Sequence, residues 1–331
     1  MFDPLNPSSL SRGSTSLYVL SLLLCFLIGC LDPYKREIDP EAFKLDQAIA
    51  LIEEPTLPDF SYPNSSEFLP ENYTIEAKSH ANVMRTVEFF KEEEDGVLRG
   101  FNLDNTISDG SETESCGIVD QVSPEGEAGV DNQLGILWKT LEPLVGEAVE
   151  ALLYNAVNDG RLLMMIELSG VDDLQNDESI GLSFFRGKAK PIIGAQGRIV
   201  PDQTFKVDTD FPSSFFSNIQ IQNGEVQAGP VEFAIPIEIF DANFEFRVRE
   251  GQVRFKIRED GSFEGIMGGR VVLKDVLDQL LESNAAQEAR LVQPIFENNA
   301  DLGYKEGQCT EISVAFGFTG TQAFVLRKEQ D

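Results

Sequence analysis

Residue types that commonly carry enzyme chemistry are scarce in this chain of 331 residues. It has one histidine, His80, and one tryptophan, Trp138. A single histidine excludes a His-rich metal site and a histidine-based catalytic triad. The sequence also has no Gly-x-Ser-x-Gly elbow and no phosphate-binding loop ending in Gly-Lys-Ser/Thr. We therefore expect a protein without catalysis, and a hydrolase built on paired carboxylates stays open as an alternative.

Positively charged residues are also scarce. Only 26 lysines and arginines oppose 56 aspartates and glutamates, which gives a formal net charge of -30. This balance argues against nucleic acid as a partner and against overall electrostatic attraction to anionic lipid. Hydrophobic residues make up 42% of the chain, which is enough for a folded core and too much for a disordered acidic protein.

An apolar segment near the N-terminus leads into a four-residue motif. Residues 17–28 are uncharged and too few to span a bilayer, which is typical of the core of a signal peptide. The segment runs into Leu27-Ile28-Gly29-Cys30, which resembles the lipobox of bacterial lipoproteins. The resemblance implies that residues 1–29 are a cleaved signal peptide and that Cys30 carries the lipid that anchors the chain. An ordinary secretory signal followed by a chance cysteine is the alternative.

The residue after the lipobox bears on location. Leu31 stands where an aspartate, in many Gram-negative bacteria, indicates retention in the inner membrane. By resemblance to that class we expect a lipid-anchored protein of the cell envelope at the outer membrane. Whether it faces the periplasm or the cell surface is left open.

The predicted signal peptide and lipid anchor give the four cysteines different roles. Cys25 leaves with the signal peptide and Cys30 is lipidated, so Cys116 and Cys309 remain in an oxidising compartment. One disulfide between them is the simplest prediction, and two free buried thiols are the alternative.

The chain downstream of the anchor divides into two regions. Residues 30–80 are rich in proline, which predicts a stiff tether, interrupted by a short helix over residues 41–54. Residues 81–331 predict a single β-rich globular domain.

One long helix stands out within this domain. Over residues 131–158, apolar residues recur at spacings of three and four, as on the buried face of a helix. We predict Asp131 as its N-cap, a kink or break at Pro143, and an end at Asp159-Gly160. A second, short helix is predicted over residues 273–282.

The clearest β pattern lies between residues 218 and 268. Alternating apolar residues predict strands with one buried face, and Glu250-Gly251 and Asp260-Gly261 are predicted as turns between them. The predicted fold is mainly β within the α+β class: an antiparallel β-sandwich or a curved sheet, packed with the long helix and the short one.

An acidic segment is the candidate metal site. Residues 100–137 contain no lysine or arginine, and carboxylate and amide oxygens recur along them. Such oxygens are the ligands that Ca²⁺ prefers, although the spacing departs from that of an EF-hand. A solvated acidic loop explains the same composition equally well, and residues 172–178 form a second such loop. The predicted calcium ligands are Asn102, Asp104, Asp109, Asp120, Asp131 and Asn132.

The same segment carries a second resemblance. Asn102-Leu103-Asp104, Cys116-Gly117 and Val130-Asp131-Asn132-Gln133, with Asp301-Leu302 and Cys309, are similar to parts of uncharacterised lipoproteins from myxobacteria-like species. That group has no known activity, so the resemblance implies no functional residues.

The sequence as a whole predicts an outer-membrane-anchored, non-catalytic envelope lipoprotein that acts as a structural or ligand-binding module stabilised by calcium. Its expected partner is the membrane, through Cys30; its small-molecule, lipid or protein ligand is open. The alternatives are a carrier for lipid or another apolar ligand, with a cavity between helix and sheet, and the carboxylate-based hydrolase.

Overall fold

The computed structural model of the chain describes residues 73–74, 78–92, 94–239, 242–283 and 286–328. The predicted signal peptide, Cys30 and the predicted short helix at 41–54 lie outside these residues.

Strands dominate the described residues, which confirms the predicted mainly β class. The elements in chain order are β1 (Tyr73–Thr74), β2 (Ser79–Phe89), β3 (Gln121–Val122), β4 (Ala128–Val130), α1 (Gln133–Asn158), β5 (Met164–Ser169), β6 (Asn176–Lys188), β7 (Gln203–Val207), β8 (Ser214–Gln222), β9 (Glu225–Ile239), β10 (Ala242–Ile257), β11 (Phe263–Val272), α2 (Leu273–Glu282), α3 (Ala286–Glu297) and β12 (Glu311–Lys328).

The large sheet returns to its own starting strand. Its order runs β2-β5-β6-β8-β9-β10-β11-β12, each neighbour antiparallel, and β12 pairs again with β2 over residues 316–323. β7 adds a parallel pairing with β12 and an antiparallel one with β6. The pairings do not confirm the predicted sandwich. They describe one mixed sheet, which must curve for its first and last strands to meet.

The predicted alternation is present, and one predicted turn is wrong. Val231, Phe233 and Ile235 are buried on β9, as expected for one inward face. Glu250-Gly251 does not end a strand but lies inside β10, where the register against β9 and β11 shifts. Glu250 has a φ of 47°, so the Glu-Gly pair forms a bulge that bends the strand. Asp260-Gly261 does form the predicted turn, between β10 and β11.

Phenylalanine rings fill the space that the sheet encloses. Ring centroids of Phe184 and Phe233 lie 5.8 Å apart, and those of Phe233 and Phe316 lie 6.2 Å apart. These residues belong to β6, β9 and β12, which are not neighbours in the sheet, so the contacts cross its interior. Phe316 also contacts Phe89, which stacks on Trp138 of α1 at 4.6 Å. The long helix therefore packs into the same core, and Trp138 is part of it.

α1 begins two residues later than predicted and is not divided. Its N-cap is Asn132, whose side chain accepts a hydrogen bond from the Gly135 N–H, so the prediction of Asp131 as the cap is wrong. Pro143 lies inside one continuous helix. Because Pro143 and Lys139 are both exposed, water can satisfy the Lys139 carbonyl that the proline leaves without a donor.

The C-terminal part combines a confirmed helix with a missed one. α2 has the predicted bounds, but α3, which contains Pro294, has no counterpart in the prediction. β12 then runs unbroken for 18 residues.

Candidate functional site

The acidic segment is tied to the C-terminal part of the domain by the predicted disulfide. Cys116 and Cys309 are bonded at 2.06 Å. Cys116 follows a short 3₁₀ turn, Thr113–Ser115, and Cys309 lies just before β12. The disulfide thus holds the predicted calcium segment against the chain that leads into β12.

Two of the predicted ligands close small turns on the surface. Asp104 Oδ1 accepts hydrogen bonds from the Thr106 N–H at 2.8 Å and from the Thr106 hydroxyl at 2.9 Å. Asp109 Oδ1 accepts from the Ser111 N–H at 2.9 Å, and bonds from Ser111 lower the pKa of Asp109. Both carboxylates serve the turn that contains them, a common role of aspartate in loops.

Asp131 is the opposite case. It is 4% exposed, and its Oδ2 accepts a hydrogen bond from the Leu103 N–H at 2.6 Å. Burial raises its pKa to about 8, and the nearby carboxylates of Asp104, Asp120 and Asp301 contribute in the same direction. Asp131 is therefore largely protonated at neutral pH.

Asp120 is an intermediate case. Its Oδ2 accepts from the Ser108 N–H at 2.7 Å, and partial burial, with repulsion from Asp104 and Glu112, raises its pKa.

Asn132 joins three parts of the chain. Its Oδ1 accepts from the Gly135 N–H and from the Ala315 N–H, each at 3.2 Å, while its Nδ2 donates to the Arg99 carbonyl at 2.8 Å. The side chain is 1% exposed. Asn132 thereby fixes the start of α1 to β12, which is a structural role.

A second buried carboxylate, which the sequence prediction missed, completes this junction. Asp301 Oδ1 accepts from the Ser313 N–H at 2.8 Å, and Oδ2 accepts from the Ser313 hydroxyl. The same hydroxyl accepts from the Gln133 N–H at 2.7 Å, at the first turn of α1. Burial raises the pKa of Asp301 to about 7. Gln133 and Ser313 lie 180 positions apart in the chain, and no local motif marks them.

We call Asp131, Asn132, Asp301, Ser313 and the Gln133 N–H the junction network. It satisfies backbone groups at the start of α1 and on β12 that would otherwise be buried without partners. Of the six predicted ligands, it contains Asp131 and Asn132, and Asp104 and Asp120 interact electrostatically with Asp131. Asn102 Nδ2 donates to the Thr106 carbonyl at 2.6 Å, and its buried Oδ1 has no hydrogen-bond donor within the part of the chain that the structure describes.

Among the residues that the structure describes, no group of three or more histidine, cysteine, aspartate or glutamate side chains is arranged to hold a metal ion. Asp104, Asp109, Asp120 and Asp131 each accept a hydrogen bond from a nearby backbone N–H group.

Positive charge is concentrated on the outer side of β10. Arg249 pairs with Asp275 at 2.9 Å, and Arg254 pairs with Glu127 at 3.2 Å. The remaining pairs are Arg247–Glu245, Lys256–Glu225 and Arg258–Glu264. These cations are largely neutralised by acidic neighbours, so this strip offers little net positive charge to an anionic partner.

The single histidine has a defined place. His80 lies on β2, where its Nε2 is 2.7 Å from the Gly261 carbonyl and its ring contacts Phe263. His80 thus links β2 to the turn between β10 and β11.

No protein-family model, curated protein or solved structure matches this chain. Within the described residues, none of the helices combines the length and hydropathy needed to cross a membrane.

Proposed function

We propose that this protein is a lipid-anchored module of the bacterial outer membrane that binds a ligand or supports envelope structure without catalysis. The Cys116–Cys309 disulfide carries the proposal, because such bonds persist in oxidising compartments outside the cytoplasm. The lipobox-like motif that ends at Cys30 supplies the anchor. The acidic surface suits a domain that must stay soluble beside a membrane it does not bind electrostatically.

The packed interior favours this module over the apolar-ligand carrier. Phe184, Phe233 and Phe316 are each at most 2% exposed and occupy the space between helix and sheet. A carrier needs that space for its ligand. The module therefore meets its ligand on the outer surface of the sheet or at the loops.

The anchor is tested by substitution of the two N-terminal cysteines in a Gram-negative host fed radiolabelled palmitate. Cys30→Ala abolishes the label on the protein and moves it from the membrane fraction to the soluble fraction. Cys25→Ala is the matched control and keeps both label and location. Label retained by Cys30→Ala contradicts the proposal.

The membrane assignment has its own test. Leu31→Asp places the aspartate of inner-membrane lipoproteins behind Cys30, so we expect the protein to shift from the outer to the inner membrane on a sucrose gradient. Leu31→Asn controls for size. Wild-type protein found in the inner membrane would contradict the outer-membrane part of the proposal. It would not bear on the lipid anchor.

Calcium stabilisation is a second proposal for the same domain. Two observations support it: the carboxylates of Asp104, Asp120 and Asp301 each repel that of Asp131, and the Asn102 Oδ1 lacks a donor among the described residues. A divalent cation would relieve that repulsion, as a proton does in the ion-free state. Calcium at about 100 times its Kd would stabilise the fold by about 2.7 kcal/mol. The midpoint of thermal unfolding is compared in calcium chloride and in EDTA, with Asp131→Asn as the variant that loses the response; equal midpoints for the wild type rule the cation out.

A further inference from the structure

A cleft of about 410 Å³ opens on the outer face of the sheet, away from the junction network. One row of paired residues crosses its floor: Glu167 on β5 lies opposite Ser183 on β6, and Ser183 lies opposite Phe215 on β8. Phe184, the neighbour of Ser183, points into the phenylalanine core. Because side chains alternate along a strand, the row from Glu167 to Phe215 faces outward. The volume of the cleft falls within the range of about 300–1,000 Å³ found for small-molecule sites.

The charges in the cleft cancel. Glu167 forms an ion pair with Arg327, which borders the same cleft, and the glutamate side chain is only 3% exposed. The Arg327 guanidinium also lies 5.5 Å from the centroid of the Phe185 ring. The pair therefore holds its donors and acceptors in fixed positions, and it adds no net charge that would select an ion.

Four serines supply hydroxyls around this pair. Ser169 and Ser183 stand on the floor, and Ser213 and Ser214 lie at the start of β8. Within the described part of the chain, none of these four hydroxyls is engaged in a side-chain hydrogen bond. A hydroxyl both donates and accepts, so this lining suits a ligand that itself carries hydroxyl groups.

An exposed aromatic ring forms one side of the cleft. Phe215 is 67% exposed, the same as the most exposed large apolar side chains among the described residues. Its ring lies over Gly181: a Cβ added there would be 3.3 Å from the ring and 2.4 Å from the Ser169 hydroxyl. The glycine thus leaves room for the ring to lie against the sheet beside a hydroxyl. An accessible apolar ring beside neutral hydrogen-bonding groups is what a sugar ring requires, since sugars have both C–H faces and hydroxyl edges.

We propose that this cleft binds a neutral saccharide unit. The C–H face of the sugar packs on Phe215, and its hydroxyls bond to the serines and to the Glu167–Arg327 pair. The assignment rests on the proposed binding role of the module and names its ligand class. An envelope protein with this site would hold a glycan of the cell surface or cell wall.

The test uses the full-length protein in a detergent without sugar groups, with maltose, cellobiose and N,N'-diacetylchitobiose as probes. We expect saturation-transfer NMR signals at the C–H protons of at least one of these disaccharides. Phe215→Ala weakens that binding by about ten-fold, because the stacking surface is lost. Ser183→Ala weakens it by about three- to ten-fold. Phe324→Ala is the matched control, since Phe324 is a partly exposed phenylalanine of β12 outside the cleft.

Two outcomes overturn the proposal. One is the absence of transfer to all three disaccharides, or transfer that Phe215→Ala leaves unchanged. The other is saturable binding of inorganic phosphate that displaces the sugar, which would assign the cleft to an anion held by Arg327. Because Phe215 is exposed, circular dichroism is expected to show Phe215→Ala as folded as the wild type. The palmitate label on Cys30 is unaffected by these results, so the anchor and the ligand class fail separately.

Discussion

The two acidic loops of this protein have similar composition, but only the first contains a buried aspartate. In residues 102–132, Asp131 is buried and its pKa is raised to about 8. In residues 172–178, Asp177 accepts hydrogen bonds from the Asp172 N–H at 2.8 Å and the Ser179 N–H at 3.1 Å, and these bonds lower its pKa. The first loop is joined to the C-terminal part by the disulfide and by the bond from the Ala315 N–H of β12 to Asn132, whereas the second is a surface turn that leads from β5 into β6.

The difference shows that acidic composition does not define a site. An aspartate in a solvated turn gains from its own backbone N–H groups and stays ionised. An aspartate that is buried beneath another element loses its hydration water. Its carboxyl group therefore keeps its proton and stays neutral at higher pH. By composition both loops are candidate cation sites. Only the first contains a buried carboxyl group, Asp131, that neighbouring carboxylates repel and that a cation could stabilise.

Removal of the disulfide is expected to have the largest effect on stability, and it should affect the first loop more than the second. The double variant Cys116→Ala, Cys309→Ala loses a cross-link spanning 193 residues, so the free energy of unfolding falls by about 2–4 kcal/mol. Urea denaturation measures the loss, and amide exchange locates it. Exchange accelerates in residues 101–132 and stays unchanged in residues 172–178; uniform acceleration would show that the first loop is not selectively held.

The pH dependence of stability is the next largest effect. Since the folded-state pKa values of Asp131 and Asp301 are raised to about 8 and 7, the folded chain keeps protons that the unfolded chain has released. Their stabilisation is complete below about pH 4 and is lost as the pH rises toward 8. The free energy of unfolding of the wild type minus that of Asp131→Asn therefore falls by about 1–3 kcal/mol between pH 4 and 8. A difference independent of pH contradicts the buried, protonated state of Asp131.

Loss of the asparagine cap ranks third. Asn132→Ala removes the acceptor for Gly135 and Ala315 and the donor to Arg99, which we expect to cost about 1–2 kcal/mol in urea denaturation. Asn176→Ala is the counterpart beside the second loop, where Asn176 accepts one exposed bond from the Asn223 N–H. Equal losses in the two variants would remove the distinction between a buried junction and a surface turn.

Neutralisation of Asp177 is expected to have the smallest effect on stability. The pH dependence of that effect is opposite to the one expected for Asp131. A lowered folded-state pKa gives stability that is present above about pH 4 and is lost as the pH falls. Asp177→Asn should lower the unfolding midpoint slightly at pH 7 and leave it unchanged near pH 2. Thermal scans at the two values check this. A variant more stable than the wild type at pH 7 would place Asp177 in the same class as Asp131.

Local patterns predict those parts of the fold that local physics determines. The apolar spacing of α1 and the alternation on β9 each follow from burial of one face, and both are confirmed. Cys116 and Cys309 pair as predicted. The Glu250-Gly251 bulge is missed because a bulge and a turn both favour a glycine after a residue with positive φ.

The candidate site depends on contacts that no window of sequence contains. The Ser313 hydroxyl, which donates to Asp301, accepts from the Gln133 N–H only because β12 lies against the start of α1. The N-cap of α1, Asn132, lies one residue after the predicted cap, Asp131, and its Oδ1 also accepts from the Ala315 N–H of β12. The row of Glu167, Ser183 and Phe215 likewise needs the register of three strands, which alternation alone does not fix.

The return of the sheet to β2 constrains when the domain can form. β12 comes after the other strands in the chain, yet it pairs with β1, β2, β7 and β11. The pairing of Val87 with Phe318 joins positions more than 200 residues apart, so closure is a late and slow event in folding. A chain still emerging from the ribosome or a translocation channel therefore has an open sheet, with β2 unpaired along one edge. Until the final strand arrives, that edge is exposed to other chains, and chaperone protection matters most in this interval.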